Sequence, residues 1–566
     1  MKTDDELTRQ YCRKAAPAFA MATASIALAA AACGGASSTS SGTGGVGSNS
    51  ARVKNDTVKP GGTLVFAADQ EPSGFNVNTS KDNGSSVQNI TENTYPSTFH
   101  NPPDFTVQMD KNLLISADLT SKSPETVVYK INPKATWSDG VPVDAKDFIY
   151  MWKSLNGTNK DLDVFGTTGY DNIKSVTGSN NDKTVTVVFK ENFADWKSLF
   201  TNMVPAHYTQ KQPGGWNTGL DKSMPISAGP FVITSYKPGD SLILSRNDKF
   251  WGPPAKLDKI VFRFLPESQT QPDALKNGEV QLIYPQPQLD LVQTVRALPN
   301  VESQTNFGLT FEHFDFNTTV KGLHDPVVRK AIATGLDRAQ LLNATVKQFS
   351  DKAQLLGNRI YVNNQPEYKD DAPPGIGKGD IAAARKLLES DGYTKGPDGV
   401  YVKGGQKLSF TFATTSGNRL REQQGILFQA QMRQLGIAIR IANQPSKTLF
   451  PALSRGQFQI SDFAWVATPF ASANQPIYQT GGGSNYGKYS NPKVDALIKA
   501  AVSDLDPAKV KNDWNQVDTQ IWQDMPTIPL YQKPTFIAYH KKYGNITDNA
   551  SQEGPFESSG TWGLKQ

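Results

Sequence analysis

The sequence predicts an α/β protein with an added β-rich subdomain, and three observations lead to this fold class. An apolar strand at 408–413, a helix from about 420 to 435 and a strand at 437–441 have the spacing of a βαβ unit, which implies a parallel sheet covered by helices. Apolar runs at 231–233 and 242–244 flank Pro238-Gly239-Asp240 and predict a hairpin. A strand at 126–131 runs towards the tight-turn signal Asp139-Gly140. Strand-rich and α/β segments therefore alternate along the chain.

Local signals define the remaining elements. The folded part opens with a buried strand at 63–68, where a short apolar run follows two glycines. Asp144, with Asp147 three residues later, predicts the start of a helix in a capping-box pattern. Asp325 before Pro326 predicts a second helix start, and Asp380 begins an amphipathic helix that ends near residue 392. No internal repeat is evident.

Length and charge narrow the class of protein. The chain has 566 residues, more than one hydrophobic core normally organises, so two or more domains or one large bilobal unit are expected. The formal net charge is +5, and the basic residues form no long block. Nucleic acid is therefore not an expected partner.

The sequence lacks the short motifs of common catalytic sites. It contains no H-E-x-x-H, G-x-S-x-G, C-x-x-C or phosphate-binding loop motif. The five histidines are scattered, and the acid pair Asp370-Asp371 precedes a proline-rich loop. These features favour a binding protein over an enzyme, and no cofactor or metal is expected.

The N-terminal segment is typical of a bacterial lipoprotein. Arg9, Arg13 and Lys14 precede an apolar run at 15–32, Cys33 follows, and a Gly/Ser/Thr-rich segment extends to about residue 60. We therefore predict a signal peptide at 1–32, lipidation of Cys33 and a flexible tether at 33–60, which places the protein on the outer face of the cell membrane.

Two other interpretations of this segment stay open. Ala30 stands where lipoproteins usually have Leu, and Ala30-Ala31-Ala32 also fits ordinary signal peptidase, which would release a secreted protein. The apolar run is also about long enough for an uncleaved anchor, although it is mostly alanine. The other cysteine, Cys12, lies inside the predicted signal peptide, so the mature chain cannot form an internal disulfide.

Several segments, in order, resemble the family 5 extracellular solute-binding proteins, the oligopeptide-, dipeptide- and nickel-binding components of ABC importers. The resemblance is clearest in "VVYKINPKATWSDGVPVDAKDFIYMWKSL" at 127–155. It continues in "SAGPFVITSYKPGDSLILSRNDKFWG" from Ser227, "FNTTVKGLHDPVVRKAIATGLDR" from Phe316 and "NYGKYSNPKVDALI" from Asn485. It covers nearly all of the chain from Gly61 onwards.

The resemblance implies a bilobal type II periplasmic-binding-protein-like fold in which the chain crosses twice between lobes. Lobe I is expected at 61–100, 226–310 and 526–566, the inserted β-rich subdomain at 101–225, and lobe II at 311–525. Such proteins close like a hinge around their ligand and deliver it to a membrane permease. The implied partners are a peptide or peptide-like ligand and the ABC permease subunits, with the protein itself monomeric.

The resemblance also suggests ligand-binding residues. The segment "FQISDFAWVATPFASANQPIY" resembles the lobe II strand and loop that meet ligand, which makes Trp465 the leading candidate. In peptide-binding members an Asp shortly after this Trp pairs with the α-ammonium of the ligand, whereas here residues 466–470 contain no carboxylate and Asp462 resembles a structural Asp. A free-amine dipeptide is expected to bind poorly unless another acid substitutes. The other candidates are Glu71, Tyr95, Asn317, Arg419, Thr468, Phe470, Asn485 and Tyr486.

Two further functions stay open alongside peptide uptake. Some actinobacterial lipoproteins of this family resemble regulators of cell-envelope glycolipid assembly, and the missing Asp is compatible with that role. Uptake of nickel or a metal chelate is the other alternative.

Overall fold

The computed structural model describes residues 54–566, apart from the side chains of residues 446 and 447. The predicted signal peptide, Cys33 and the tether up to residue 53 lie outside the described residues. Within the described part, no helix is long and apolar enough to cross a membrane.

A ten-stranded mixed sheet forms the centre of the molecule. Its strands are β2 (Thr63–Ala68), β9 (Phe231–Lys237), β10 (Ser241–Arg246), β11 (Lys259–Phe264), β12 (Leu282–Ile283), β13 (Val301–Phe316), β17 (Ser409–Ala413), β18 (Ala438–Ile441), β19 (Ile460–Val466) and β20 (Thr527–His540). Their order across the sheet is β18-β17-β19-β13-β20-β12-β2-β11-β10-β9. The predicted hairpin is confirmed as β9 and β10, and β17 and β18 pair in parallel as predicted.

The predicted β-rich insertion contains a separate antiparallel sheet. It is built from β5 (Leu114–Lys122), β6 (Glu125–Ile131), β7 (Ile173–Ser179) and β8 (Thr184–Phe189), in the order β5-β6-β8-β7. Alternate residues of β6, including Val127, Tyr129 and Ile131, are buried, because one face of this sheet packs against helix α2 (Ala145–Leu155) and its neighbours.

Short strands complete the sheets. The pair β3 (Phe99–His100) and β4 (Gln108–Met109) joins the region before the insertion to its start, and β14 (Thr394–Lys395), β15 (Tyr401–Lys403) and β16 (Gln406–Lys407) form a small meander. In a separate three-stranded sheet, β1 (Val58–Lys59) and β21 (Tyr543–Gly544) both pair with β22 (Gly563–Lys565).

The helices begin where the sequence signals them. Asp144 and Asp147 form a complete capping box at α2, and the side chains of Asp325 and Asp380 cap α7 (Pro326–Gly335) and α9 (Ile381–Ser390). Gly436 ends α10 (Arg419–Leu435) in the left-handed conformation, at φ 106°. The other helices are α1 (Ser85–Thr91), α3 (Ala206–Thr209), α4 (Gly215–Thr218), α5 (Gln271–Lys276), α6 (Leu289–Arg296), α7 (Pro326–Gly335), α8 (Arg338–Ala344), α9 (Ile381–Ser390), α10 (Arg419–Leu435), α11 (Ser446–Ser454), α12 (Gln475–Tyr478), α13 (Pro492–Ser503) and α14 (Pro507–Asp524).

Two long strands run through the middle of the central sheet. β13 and β20 pair in antiparallel fashion over most of their length, from Val301 opposite His540 to Asp315 opposite Thr527. The register shifts between Phe307 and Phe311, where the ladder is interrupted. One large hydrophobic core lies mainly on the side of β2 and the insertion, and a second lies on the side of α7 to α10. We call β13 and β20 the crossing strands.

The structure corrects the predicted end of the tether. Residues 54–60 were expected to be part of the flexible segment, but Val58 and Lys59 pair with β22, and Asp56 accepts a hydrogen bond from the backbone of Asn545. A strand of this length is weak as a sequence signal, because its pairing partner lies some 500 residues away.

Candidate ligand-binding site

Trp465 lies near the end of β19 in a group of aromatic side chains. Phe463 and Trp465 are two residues apart and therefore point to the same face of the sheet. The antiparallel pairing with β13 sets His313 opposite Phe463 and Phe311 opposite Trp465. His313 and Trp465 lie almost parallel, with ring centroids 6.0 Å apart, and Phe463 meets Trp465 edge to face at 5.3 Å.

Tyr486 completes this group from a neighbouring loop. Its ring lies 5.6 Å from that of Trp465, and both side chains are half-buried. Burial, with the nearby charge of Asp315, raises the pKa of Tyr486, so the phenol is neutral and can donate a hydrogen bond. We call Phe463, Trp465, Tyr486 and His313 the aromatic site.

The imidazole of His313 is held in one orientation. Its Nδ1 lies 3.0 Å from Oδ1 of Asp315, and the whole residue is inaccessible to solvent. Within the described residues its Nε2 has no hydrogen-bond partner. The aromatic site thus combines large apolar faces with fixed polar groups at its base, a combination typical of small-molecule sites.

Phe105, far from Trp465 in the chain, packs against the same apolar cluster as Trp465 does. It follows the turn at 102–104 and adopts a positive φ of 61°, and the cluster consists of Leu309, Phe311, Leu356 and Val362. A left-handed conformation is uncommon for a bulky residue and is kept only where its surroundings favour it. Sequence analysis missed Phe105, although the preceding Asn-Pro-Pro-Asp run signals a projecting turn.

Thr468 and Phe470 lie in the loop that follows Trp465, as expected. Both are half-buried, and Oγ1 of Thr468 accepts a hydrogen bond of 3.2 Å from the backbone N–H of Phe470. The loop is joined to the crossing strands because the N–H of Ala467 donates to the carbonyl of Leu309 at 2.9 Å.

Three of the predicted ligand-binding residues use their polar groups within the fold. The Asn317 amide donates to the carbonyls of Gly456 and Phe458, and the Asn485 amide donates to the carbonyl of Tyr489. Tyr95 donates its hydroxyl proton to the carbonyl of Phe75 at 2.7 Å. All three are buried. Asn485 shapes the loop that presents Tyr486, so it contributes to the aromatic site by positioning.

Glu71 and Arg419 lie on the surface, and neither contacts the aromatic site. Oε1 of Glu71 accepts hydrogen bonds from the hydroxyl of Tyr236 and the N–H of Gly239, at 2.8 and 3.0 Å. Arg419 is exposed and pairs with Asp290 at 3.5 Å. The structure thus groups Trp465, Tyr486, Thr468 and Phe470 in one area, with Asn485 in the same loop as Tyr486, and places Glu71, Tyr95, Asn317 and Arg419 elsewhere. Their roles in binding stay predictions.

A group of buried charges lies on the other face of the same strands, under α10. Glu312 is paired with Arg421 and with Lys533, whose Nζ lies 2.9 Å from Oε2 of the carboxylate. Burial opposes ionisation, but these two cations outweigh it and lower the pKa of Glu312 to about 2. The adjacent Asp462 is fully buried and its pKa is raised by burial and by the Glu312 charge. We call Glu312, Asp462, Arg421 and Lys533 the buried ion network.

Comparison with known proteins defines the class of this fold. The sequence model described as "Bacterial extracellular solute-binding proteins, family 5 Middle" matches residues 111–488, more than half of the chain. The chain therefore belongs to family 5 of the bacterial extracellular solute-binding proteins. The family resemblance and the bilobal α/β fold of the type II periplasmic-binding-protein class, with its extra β-rich subdomain, are confirmed.

Individual relatives are similar over most or part of the chain. The oligopeptide-binding protein OppA of Mycobacterium tuberculosis is 29% identical over 500 residues, covering 87% of this chain and 83% of the relative. The probable monoacyl phosphatidylinositol tetramannoside-binding protein LpqW of M. tuberculosis is 32% identical over 337 residues, 58% of this chain and 52% of the relative. The structure of the periplasmic EDTA-binding protein EppA superposes with a TM-score of 0.87 at 28% identity, covering 91% of this chain and 98% of the other.

Proposed function

We propose that this protein is the membrane-anchored solute-binding component of an ABC importer and captures a peptide or peptide-like compound against the aromatic site. The single observation that carries the proposal is the pair Trp465 and Tyr486, which presents half-buried aromatic faces beside the crossing strands. Stacking and apolar contact there favour a ligand with amide planes and apolar side chains.

Hinge closure accounts for the contacts around this site. Phe105 precedes the crossing strands in the chain and Trp465 lies between them, yet both pack on one apolar cluster. We use the lobe boundaries expected from the family, and we propose that the second lobe, residues 311–525, moves relative to the rest of the fold. Closure would dry the aromatic site and strengthen each polar contact to the ligand.

The contacts between the insertion and the region around α13 would stabilise the closed form. The N–H of Ala194 donates to the carbonyl of Val502 at 2.8 Å, and Oδ2 of Asp195 accepts from the N–H of Ser472 at 2.9 Å. Both contacts join segments on opposite sides of the proposed division, so opening must break them.

Ligand capture is tested by native mass spectrometry of protein purified from its own host, followed by titration with a peptide panel. We expect a co-purified peptide and a decrease in radius of gyration by small-angle scattering when peptide is added. Trp465→Ala should weaken peptide binding by at least about tenfold, since it removes a large aromatic contact. Trp251→Ala, on the opposite region of the fold, is the matched control. A panel that neither binds nor compacts the protein contradicts the proposal.

The partial match to LpqW supports one alternative, a ligand-sensing role in cell-envelope glycolipid assembly. A monoacyl phosphatidylinositol tetramannoside that binds while peptides do not would favour it. The similarity to EppA supports a second, binding of a metal chelate. Elemental analysis of protein purified without chelators measures its metal content. A stoichiometric metal would favour a metal chelate as ligand, and no metal would favour a metal-free ligand.

Anchoring through Cys33 is a separate part of the proposal. A diacylglyceryl group on Cys33 in the mature N-terminal peptide is the expected result of mass spectrometry. An unmodified thiol at that position would contradict anchoring and leave the binding role intact.

A further inference from the structure

Four exposed lysines surround the last strand, β22, beside the first strand of the described chain. We call them the basic end; its members are Lys59, Lys256, Lys541 and Lys542. They come from three separate segments of the chain, and the fold brings these segments together.

Each lysine of the basic end is placed by contacts around β22. Lys59 lies in β1, which pairs with β22. The carbonyl of Lys542 accepts a hydrogen bond of 2.9 Å from a backbone N–H of β22, and Lys541 precedes Lys542 in the turn between β20 and β21. Lys256 lies beside the same strand, because a Cβ added to Gly563 would lie 3.2 Å from the Cβ of Lys256. The four positive charges therefore belong to one region of the surface.

The charges of the basic end are not balanced by neighbouring acids. Within residues 54–566, none of the four lysines forms an ion pair with Asp or Glu. Three acids that flank these segments have other partners: Asp56 pairs with Lys565 at 3.2 Å, Asp258 pairs with Arg246 at 2.9 Å, and Glu302 pairs with Lys54. A carboxylate at Gln566 would offset one charge at most, so the region keeps an excess of positive charge.

The contacts that the ammonium groups do make leave their charge in place. Nζ of Lys541 donates to the carbonyl of Pro299 at 2.8 Å, and Nζ of Lys542 lies 5.4 Å from the ring centroid of Tyr543. Neither partner is an anion. The basic end can therefore still attract a negatively charged surface.

The basic end lies where the predicted tether joins the fold. The twenty residues 34–53, outside the described part, separate Cys33 from Lys54. A Gly/Ser-rich chain of that length has a root-mean-square span of about 25 Å. An acyl group on Cys33 would therefore keep β1 and the lysines around it near the bilayer. Attraction between exposed charges extends about 8 Å at physiological ionic strength, a distance that the tether allows.

The aromatic site lies well away from the basic end along β20. Phe311 pairs with Trp465 on one side and with Gln532 of β20 on the other. Lys541 follows Gln532 by nine residues. A strand of that length extends about 30 Å. A surface in contact with the basic end would thus leave the aromatic site free.

We infer that the basic end is a docking surface for the anionic headgroups of the lipid bilayer that holds the anchor. This inference rests on the anchoring part of the proposed function and does not depend on the ligand. Clusters of lysine beside a membrane-anchored segment are attracted to anionic lipids, and each lysine adds to the attraction. The anchor alone would limit the distance of the fold from the bilayer. The basic end would also set its orientation, with the aromatic site directed away from the membrane.

Lysine labelling tests the docking surface on the wild-type protein. The mature protein is added to preformed vesicles of phosphatidylcholine, with or without about 30% phosphatidylglycerol, and is treated with a membrane-impermeant acetylating reagent. Labelling of Lys256 and Lys542 should fall at least about threefold in the anionic vesicles and recover in about 0.5 M sodium chloride. Lys330 and Lys386, exposed on α7 and α9, are controls and should be labelled equally in both. Equal labelling of the basic end in both kinds of vesicle overturns the docking surface.

Vesicle flotation tests the same surface without the acyl group. In a Cys33→Ser chain, the fraction that floats with the anionic vesicles should fall at least about fivefold when Lys256→Glu/Lys542→Glu is added. Lys330→Glu/Lys386→Glu makes the same change in net charge elsewhere and is the matched control, which should float as the Cys33→Ser chain does. Equal losses in the two charge variants would show that net charge alone acts, and would overturn the docking surface.

The two experiments separate this inference from the anchoring proposal. An unmodified Cys33 in the mature protein contradicts anchoring, and flotation then still decides whether the basic end binds anionic lipid. An acylated protein whose lysines are labelled equally in both kinds of vesicle keeps the anchor and loses the docking surface.

Discussion

Glu312 in the buried ion network and Glu92 at the end of α1 have opposite surroundings. In the network, Glu312 has Arg421 and Lys533 as direct partners, and its pKa falls to about 2. Glu92 has the amide of Gln88 and the charge of Glu557 near it, and its pKa rises to about 8. The difference shows that burial alone does not set the charge of a carboxylate, because the neighbouring cations decide it.

Removal of the central carboxylate of the buried ion network should have the largest effect. Glu312→Gln leaves Arg421 and Lys533 buried without their counter-ion, and we expect a loss of about 3–5 kcal/mol in the free energy of unfolding, measured in urea at pH 7. Glu279→Gln, whose carboxylate is exposed, should cost less than about 1 kcal/mol. Similar losses in both variants would contradict the contrast between the two kinds of charge.

The carboxyl groups of Glu92 and Glu557 should lower stability as the pH rises. Their pKa values are raised to about 8 and about 7, so the folded state keeps protons that the unfolded state has released, and stability falls between about pH 5 and pH 8. Glu92→Gln/Glu553→Gln/Glu557→Gln should remove this fall and gain about 1–3 kcal/mol at pH 8, since one pKa unit corresponds to ~1.4 kcal/mol. Thermal unfolding from pH 5 to pH 8.5 measures both. Asp104, whose negative charge also acts on Glu557, is not substituted in this variant. A triple variant with the pH profile of the wild type would show that these three acids do not cause the fall in stability.

Within the buried ion network, Asp462 should behave unlike Glu312. Burial, followed by the Glu312 charge and a hydrogen bond with the Glu312 side chain, raises the pKa of its carboxyl well above the usual range, which favours the neutral form. Asp462→Asn therefore exchanges one neutral group for another of similar shape, and we expect a change of less than about 1 kcal/mol in urea unfolding at pH 7. A loss as large as that of Glu312→Gln would mean that Asp462 is ionised.

The smallest effect is expected at the exposed pair of Arg419 and Asp290. The charges lie 3.5 Å apart, but both side chains are well exposed. Arg419→Met should therefore change the free energy of unfolding by less than about 0.5 kcal/mol, at low and at high salt concentration alike. Peptide affinity of the same variant, measured by calorimetry, tests the predicted ligand role of Arg419. An unchanged affinity removes Arg419 from the list of candidate ligand residues.

The sequence was informative where the signal is local. The caps Asp144, Asp325 and Asp380, the hairpin and the βαβ unit depend on residues a few positions apart, and all are confirmed. The family resemblance extended this to the bilobal fold. The end of the tether was placed wrongly because β1 depends on a partner strand at the far end of the chain.

The surroundings of the site could be predicted only in part. Trp465, Tyr486 and the loop between them lie in one stretch that resembles the family. His313 and Phe105 come from segments about 150 and 360 residues earlier, so their contacts depend on strand register and on long-range packing. The hydrogen bond from Asn101 to Glu553 is harder still to predict, because the two residues are 452 positions apart and neither forms a motif.

The pairing of β1 and β21 with β22 fixes where the two ends of the folded body emerge. Lys59 lies opposite Leu564, so the chain enters the fold one strand spacing, about 5 Å, from where it leaves. A fluorescent reporter or affinity tag fused after Gln566 would therefore start beside Thr57, whose carbonyl accepts a hydrogen bond from the N–H of Gln566. A label on the β9–β10 turn would instead lie near the other end of β2, because Ser241 pairs with Arg263 and Arg263 pairs with Ala67.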